Sequence, residues 1–154
     1  MKANLKKKLI ILIIASAILM GYLFWLNLRP VEIIAVHNDG NYSSVLVKNF
    51  PITDKGKIGW WLKNKERLKT LYDIPKPATY GSFTVIIWLF GEGYKEEEKY
   101  DRLCFNDMSP PVNCIEKNRV FSISSGKNRV TIFTVSDGEY IMKDNSKVMK
   151  IKNE

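Results

Sequence analysis

The chain has 154 residues and a formal net charge of +8 at pH 7, from 24 basic and 16 acidic side chains. Apolar residues make up 45% of the sequence and charged residues 26%, proportions that are ordinary for a folded protein. This composition argues against a disordered chain, a disulfide-dense miniprotein and a protein with several membrane spans. The length suits one compact domain, so the position of each residue type along the chain is more informative than the averages.

The most apolar segment lies near the N-terminus, where residues 9–28 carry no charged side chain. A helix of this length, at about 1.5 Å per residue, spans roughly 30 Å, the thickness of the hydrocarbon core of a bilayer. Tyr22, Phe24 and Trp25 lie near its end, where aromatic rings favour the membrane–water interface. The segment therefore predicts a single transmembrane helix over residues 9–28, followed by a helix stop at Pro30.

The charges beside this segment predict its orientation. Only Arg29 follows it before the first acidic residue, Glu32, whereas four basic residues precede it: Lys2, Lys6, Lys7 and Lys8. Positively charged flanks stay in the cytoplasm. We therefore expect residues 1–8 to be a basic cytoplasmic tail and residues 29–154 to be a domain outside the cytoplasm.

A cleaved signal peptide is the alternative interpretation of the N-terminal segment. The small residues Ala15, Ser16 and Ala17 resemble a cleavage site. Cleavage there would leave an apolar core of only residues 9–14, although the apolar run continues to residue 28. No cysteine lies near the segment, which excludes a lipoprotein. An uncleaved anchor is the favoured interpretation.

The domain after the apolar segment combines several strand patterns with one helix pattern. Residues 31–37 and 42–48 flank a turn at 38–41 and predict a hairpin. Residues 82–90 are apolar nearly throughout, which predicts a central strand covered on both faces. Further strands are predicted at residues 100–105, 113–115, 120–124, 129–135, 139–143 and 148–151. The fold class is α+β, with one main helix on a mostly antiparallel sheet.

The main helix is predicted over residues 53–72. Thr53 is a suitable N-terminal cap. Apolar residues recur at the spacing of one helix face. They are Ile58, Trp61, Leu62, Leu68 and Leu71.

A different side of this helix carries Trp60 with three basic residues, Lys57, Lys63 and Arg67. A basic face with an aromatic ring can contact anionic lipid headgroups or an acidic protein partner. Alternatively, Trp60 widens the apolar stripe and the basic side chains are solvated. Nucleic acid is a poor partner, because residues 29–154 hold 20 basic and 16 acidic side chains, a net charge of only +4.

The two cysteines, Cys104 and Cys114, lie ten positions apart, with Pro110 and Pro111 between them. In an oxidising compartment such a pair tends to form a disulfide, which would stabilise the fold by about 3 kcal/mol in the chain-entropy model. Two unpaired buried thiols are the alternative, expected if the domain faces the cytoplasm.

The sequence predicts no catalytic, metal or cofactor site. His37 is the single histidine, too few for a zinc site by itself, and it is expected at the surface at a strand end. No Gly-x-Ser-x-Gly elbow is present. The acidic run at 96–98, between Lys95 and Lys99, is expected to be a solvated turn, and Asp137 and Glu139 are not expected to form an acid–base pair.

Several segments together resemble a known family. They are residues 28–33 (LRPVEI), 45–51 (VLVKNFP), 53–58 (TDKGKI), 60–61 (WW), 74–77 (IPKP), 100–105 (YDRLCF) and 113–118 (NCIEKN). This set resembles an enterobacterial family of membrane proteins with the domain of unknown function 943. The resemblance covers most of the chain and implies a small inner-membrane protein of an enteric bacterium. Together with the orientation predicted from the basic flank, this gives a periplasmic location for residues 29–154. The resemblance supplies no catalytic residues.

These observations favour a non-enzymatic, membrane-anchored periplasmic binding module, of which an immunity-like protein is one version. Its expected partners are the membrane, through residues 9–28, and a protein whose identity the sequence does not give. An accessory or scaffold subunit held through its transmembrane helix is the alternative. A cell-envelope hydrolase is less favoured, and a cleft that pairs His37 with carboxylates would support it.

Overall fold

The computed structural model describes residues 1–151 and divides the chain into two compact units, Met1–Pro30 and Val31–Glu154. The first unit consists of the helix α1, Lys2–Leu28, which buries none of its side chains. The helix therefore begins before the predicted span and includes the basic residues at its start. By length and composition α1 is able to cross a membrane, and it is the one helix in residues 1–151 that passes this test.

The second unit, as far as the structure describes it, holds one long helix and ten strands. The helix is α2, Asp54–Tyr72. The strands are β1 (Glu32–Asp39), β2 (Tyr42–Lys48), β3 (Thr84–Leu89), β4 (Lys95–Glu96), β5 (Arg102–Cys104), β6 (Val112–Glu116), β7 (Arg119–Ser125), β8 (Val130–Val135), β9 (Gly138–Lys143) and β10 (Met149–Lys150).

The strands form two sheets, and the α+β class is confirmed. The larger sheet has seven strands in the order β1-β2-β3-β7-β8-β9-β10, and the smaller has three in the order β4-β6-β5. Every neighbouring pair is antiparallel except β2 and β3, which are parallel because α2 connects them as a crossover. The sequence pattern did not predict the separate small sheet, whose first strand takes residues 95–96 from the predicted turn.

Helix α2 begins and ends near the predicted positions. The Thr53 side chain accepts a hydrogen bond from the Gly56 amide at 3.1 Å, as its cap role requires. Ile58, Trp61 and Leu68 are buried as predicted, but Leu71 is 57% exposed. The prediction for Leu71 was wrong because Asp73 turns the chain back in the left-handed conformation, and Ile74 fills the core at this end of the helix.

The central strands contribute to a core on each face of the large sheet, because successive side chains of a strand point to opposite faces. In β2, Val45 and Val47 pack toward α2, whereas Leu46 packs toward the small sheet. We call the first group the helix-side core; its members include Val45, Val47, Ile58, Trp61, Leu68, Phe121 and Phe133. The second group is the cleft-side cluster, built around Leu46, Phe105 and Ile115.

Strand β3 shows the same division, with Val85 and Ile87 in the helix-side core and Trp88 in the cleft-side cluster. It is third in the order of the seven-stranded sheet. The prediction that the apolar segment 82–90 is central and covered on both faces is thus confirmed.

Candidate binding cleft

The single histidine lies at the centre of a hydrogen-bonded network. The Nδ1 atom of His37 is 2.8 Å from each carboxylate oxygen of Asp107, and its Nε2 atom is 2.8 Å from the hydroxyl of Tyr94. The imidazole also stacks on the ring of Phe105, with ring centroids 3.9 Å apart and planes 14° apart. Both ring nitrogens and one ring face are therefore already in contact with protein.

The Asp107 carboxylate accepts the hydrogen bond from Nδ1–H of His37. In the neutral imidazole with the proton on Nδ1, Nε2 accepts from the Tyr94 hydroxyl. Burial, and secondly the charge of Asp107, raise the pKa of Tyr94 above its ordinary value. A tyrosine hydroxyl is protonated at neutral pH, and the raised pKa of Tyr94 extends this state to higher pH.

The prediction that His37 is a surface residue was wrong, since its side chain is only 10% exposed. An irregularity in β1 explains its position. The pairing register of β1 with β2 shifts between Ile33 and Ala35. As a result Ile34 and Ala35 both pack in the cleft-side cluster, and Val36 returns to the helix side. This β-bulge directs His37 toward the small sheet rather than toward α2.

The disulfide holds the segment that carries two partners of His37. Cys104 and Cys114 face each other in the register of β5 and β6, and their sulfur atoms are 2.13 Å apart, at disulfide-bond distance as predicted. Phe105 follows Cys104 directly. Its amide donates to the carbonyl of Asn113 at 2.9 Å, and its own carbonyl accepts from the Asn113 side chain at 3.0 Å. Phe105 and the nearby Asp107 are thus held by a cross-linked pair of strands.

A cleft of about 310 Å³ opens beside this network. The β1–β2 hairpin, strand β3 and residues 103–107 supply its walls. The lining residues are His37, Asn38, Asp39, Tyr42, Ser43, Ser44, Ile86, Trp88, Leu103, Cys104, Phe105, Asn106 and Asp107. The cleft is therefore built by three segments that are distant in sequence.

The walls are held by internal hydrogen bonds. The indole nitrogen of Trp88 donates to the Ser44 hydroxyl at 3.2 Å, and the Ser43 hydroxyl donates to the Asn38 side chain at 2.8 Å. Both serine hydroxyls in the cleft thus have partners other than His37. A histidine that activates a nucleophile has a carboxylate on one ring nitrogen and a hydroxyl or thiol on the other. The cleft does pair His37 with the Asp107 carboxylate, as a hydrolase would require, but the hydroxyl on Nε2 belongs to Tyr94, which does not line the cleft.

The helix surface singled out by the sequence differs from this cleft. Of the four predicted contact residues, Lys63 and Arg67 are exposed, and Trp60 is half-buried against Phe50 with ring centroids 5.2 Å apart. Lys57 is only 6% exposed. It cannot belong to an open basic face, because it lies next to Ile58 and one helical turn before Trp61, both buried. Contact of Lys63 and Arg67 with a partner or lipid stays a prediction.

The acidic residues considered in the sequence are exposed. Glu96, Glu97 and Glu98 face solvent, and Glu98 lies 3.7 Å from the Arg102 guanidinium. Asp137 lies 3.8 Å from the ammonium of Lys150, in the turn before β9. Within residues 1–151, no group of three or more His, Cys, Asp or Glu side chains is placed to hold a metal ion.

Comparison with known proteins gives a match to one family model and none to a curated protein or a solved structure. A family model with the description "Enterobacterial putative membrane protein" (DUF943) matches residues 2–152, which include α1, both cysteines and every residue of the cleft. The match extends over nearly the whole chain, so the protein belongs to this enterobacterial family of membrane proteins, DUF943.

Proposed function

We propose that this protein is a non-enzymatic binding module anchored in the bacterial inner membrane. In this proposal residues 9–28 span the bilayer, residues 1–8 stay in the cytoplasm, and the domain of residues 29–154 lies in the periplasm. The cleft beside His37 is its recognition site. An immunity-like protein, which binds a toxin or another partner at the outer face of the membrane, is one form of this function.

Two features support the location. The basic residues cluster on one side of the apolar segment, at positions 2, 6, 7 and 8, and such clusters stay in the cytoplasm. The Cys104–Cys114 pair lies at disulfide-bond distance, and disulfides persist in oxidising compartments such as the periplasm. Both features favour a domain outside the cytoplasm.

The observation that carries the binding function is the closed network around His37. Its Nδ1 and Nε2 atoms are each 2.8 Å from a protein partner, so neither nitrogen faces the cleft as a free base. The same network fixes one wall of a preformed cavity, and a preformed concave surface lowers the cost of ordering on binding. Recognition uses this fixed wall, whereas nucleophilic catalysis would need a hydroxyl or thiol that faces the cleft and is bonded to Nε2, and the hydroxyl found there belongs to Tyr94, outside the cleft lining.

A photocrosslinking experiment tests this proposal in intact membranes. A photoreactive phenylalanine analogue replaces Tyr42, which lines the cleft and is 57% exposed, or Tyr80, which is 79% exposed and lies outside the cleft. We expect a discrete crosslinked product from position 42 and none of that size from position 80. The same product from both positions, or none from position 42, would contradict a recognition site in the cleft.

Replacement of residues 9–28 by an unrelated transmembrane helix separates this function from that of a scaffold subunit. A binding module keeps its crosslink at position 42 with the new anchor. A subunit that assembles through α1 loses it. A C-terminal alkaline phosphatase fusion then tests the location, and activity of the enzyme is the expected result because it folds only in the periplasm.

A further inference from the structure

The charge of the cleft is opposite to that of the protein. The chain carries a net charge of +8, and residues 29–154 carry 20 basic and 16 acidic side chains. Among the described residues that line the cleft, however, none is lysine or arginine, and two are carboxylates, Asp39 and Asp107. A cleft whose charged residues are carboxylates favours a cation over an anion, because the local field is complementary to positive charge.

The Asp107 carboxylate can accept hydrogen bonds from a further partner. Its two oxygens accept from Nδ1 of His37, yet its side chain is 47% exposed. A carboxylate offers about four lone-pair positions, so the histidine leaves acceptor capacity on the open side. The hydrogen bond from His37 also fixes the direction in which the carboxylate points. Asp107 is thus both oriented and accessible.

Asp39 supplies a second carboxylate from another segment. It is the last residue of β1, pairs with Tyr42 across the hairpin, and is exposed. Because Asp39 belongs to the hairpin and Asp107 to the segment after β5, the two negative charges belong to different walls of one cavity.

The remaining walls are largely apolar and aromatic. Trp88, Phe105 and Ile86 line the cleft, and the hydrogen bond from Trp88 to Ser44 holds the indole in place. Aromatic rings attract organic cations through their faces, and they pack well against aliphatic chains. Phe105 is 6% exposed and stacks on His37, so the more accessible apolar wall is Trp88 with Ile86. A small inorganic cation would gain little from this wall, whereas an organic cation with an aliphatic stem would use both the wall and the carboxylates.

We propose that this cleft binds an organic cation, a guanidinium or alkylammonium group on an aliphatic stem. The inference rests on the proposed function, since it names the ligand chemistry of the same site. A volume of about 310 Å³ holds a group of the size of one long side chain. The ligand is an arginine or lysine side chain of a partner protein, or a free amine of the same chemistry.

Isothermal titration calorimetry with the full-length protein in detergent micelles tests the charge preference. The probes are N-acetyl-arginine amide and its neutral isostere, N-acetyl-citrulline amide, with N-acetyl-lysine amide and N-acetyl-glutamate amide as further cases. We expect both cationic probes to bind at least about tenfold more tightly than the citrulline and glutamate derivatives, a ratio typical of one charge-assisted hydrogen bond. Equal affinities for the arginine and citrulline derivatives would overturn the inference.

Matched variants locate the binding in the cleft. We expect Asp39→Asn and Asp107→Asn each to weaken arginine-amide binding about fivefold to tenfold, just below the range for a buried charged partner, because both carboxylates are accessible to solvent. Glu97→Gln, which removes an exposed carboxylate outside the cleft, is expected to leave affinity unchanged. Asp39→Asn does not touch the His37 network, so unchanged affinity in that variant also counts against the inference.

Two further measurements identify the source of the cation and distinguish failure of the cation preference from failure of the binding function. A pentapeptide with a central arginine between alanines is compared with the free amino-acid amide. Tighter binding of the peptide supports a protein ligand, and equal or weaker binding supports a free amine. If citrulline amide reduces the crosslinked product from position 42 as strongly as arginine amide does, the binding function holds and the cation preference fails. If position 42 gives no crosslink and no probe binds, the proposed function itself fails.

Discussion

The two faces of the seven-stranded sheet are built differently. The helix-side core is apolar throughout and contains the largest buried side chains, including Phe121 and Phe133. The cleft-side cluster has three buried members, and a polar network of His37, Asp107 and Tyr94 adjoins it. One face is thus a large apolar core beneath α2, whereas the other combines a small apolar cluster with a polar network and the cleft beside His37.

This difference separates stability from recognition within one sheet. Filled apolar packing supplies most of the free energy of folding. The smaller cleft-side cluster buries less apolar surface, so this side needs other contacts to stay in place. Here the Cys104–Cys114 disulfide and the hydrogen bonds of His37 supply them. We therefore expect substitutions on the helix side to affect stability, and those on the cleft side to affect both stability and binding.

The largest effect on stability is expected for Phe133→Ala, on the helix side. Phe133 is fully buried and stacks near Phe121, with ring centroids 6.1 Å apart. Loss of this ring should lower the free energy of unfolding by about 3–5 kcal/mol. Guanidinium unfolding of the full-length protein in detergent, followed by near-UV circular dichroism, measures this change. A loss below about 1 kcal/mol would mean that the helix-side core is not the main source of stability.

The double variant Cys104→Ala/Cys114→Ala should have the next largest effect. Removal of a cross-link between residues ten positions apart should lower the free energy of unfolding by about 3 kcal/mol. The crosslink from position 42 should also weaken, because Phe105 is no longer held beside the cleft. Chemical reduction of the unmodified protein is the control and should reproduce both effects. Loss of stability with an undiminished crosslink would separate the disulfide from the cleft.

His37→Ala is expected to lower the free energy of unfolding by about 2 kcal/mol. It removes the stack on Phe105 and leaves the half-buried Tyr94 hydroxyl without its acceptor. His37→Phe is the matched variant, since it keeps an aromatic ring on Phe105 but makes no hydrogen bond. Recovery of most of the stability in His37→Phe would assign the effect to packing, and little recovery would assign it to the network. Denaturant unfolding of both variants decides between these outcomes.

The sequence predicted the elements whose causes are local. The uncharged run at 9–28 predicted α1, the Thr53 cap and the stripe of Ile58, Trp61 and Leu68 predicted α2, and the turn at 38–41 predicted the first hairpin. Each depends on residues within a few turns or one hairpin. The Cys104–Cys114 pairing belongs to the same class, because the two cysteines lie on neighbouring strands.

The cleft could not be predicted, because its causes are not local. His37 lies 70 positions before Asp107 and 57 before Tyr94. The bulge between Ile33 and Ala35 decides which face His37 occupies, and simple alternation along β1 predicts the opposite face. A lone histidine at the end of a strand was the only sequence signal. The burial of Lys57, which is 6% exposed, was missed for the same reason, because it depends on how α2 packs against the rest of the domain.

A smaller effect is expected for Tyr94→Phe, and it depends on pH. Burial and the charge of Asp107 raise the pKa of Tyr94 in the folded protein. As the pH rises through about 10, the unfolded chain loses this proton first, so stability is complete below that pH and falls above it. At pH 8, Tyr94→Phe should lower the free energy of unfolding by about 1 kcal/mol, because the hydrogen bond to His37 is lost. Above about pH 10, the stability of this variant should decrease less steeply with pH than that of the unmodified protein.

Unfolding at pH 8 and at pH 10.5 measures both parts of this prediction. Tyr140→Phe is the comparison, since the hydrogen bond to Asp54 is the main cause that raises the pKa of Tyr140. In the Tyr140→Phe variant, the part of the stability loss above about pH 10 that comes from the Tyr94 proton should remain. An identical alkaline fall in Tyr94→Phe and the unmodified protein would show that the network does not hold this proton.

The smallest effect on stability is expected on the exposed surface of α2. Lys63→Ala and Arg67→Ala should each change the free energy of unfolding by less than about 0.5 kcal/mol, because both side chains are solvated. Trp60→Ala is unsuitable here, since it would disturb the packing on Phe50. If the cleft is the recognition site, both variants keep the crosslink at position 42. Loss of that crosslink in Arg67→Ala, with stability unchanged, would place the partner on the helix surface and make the cleft secondary.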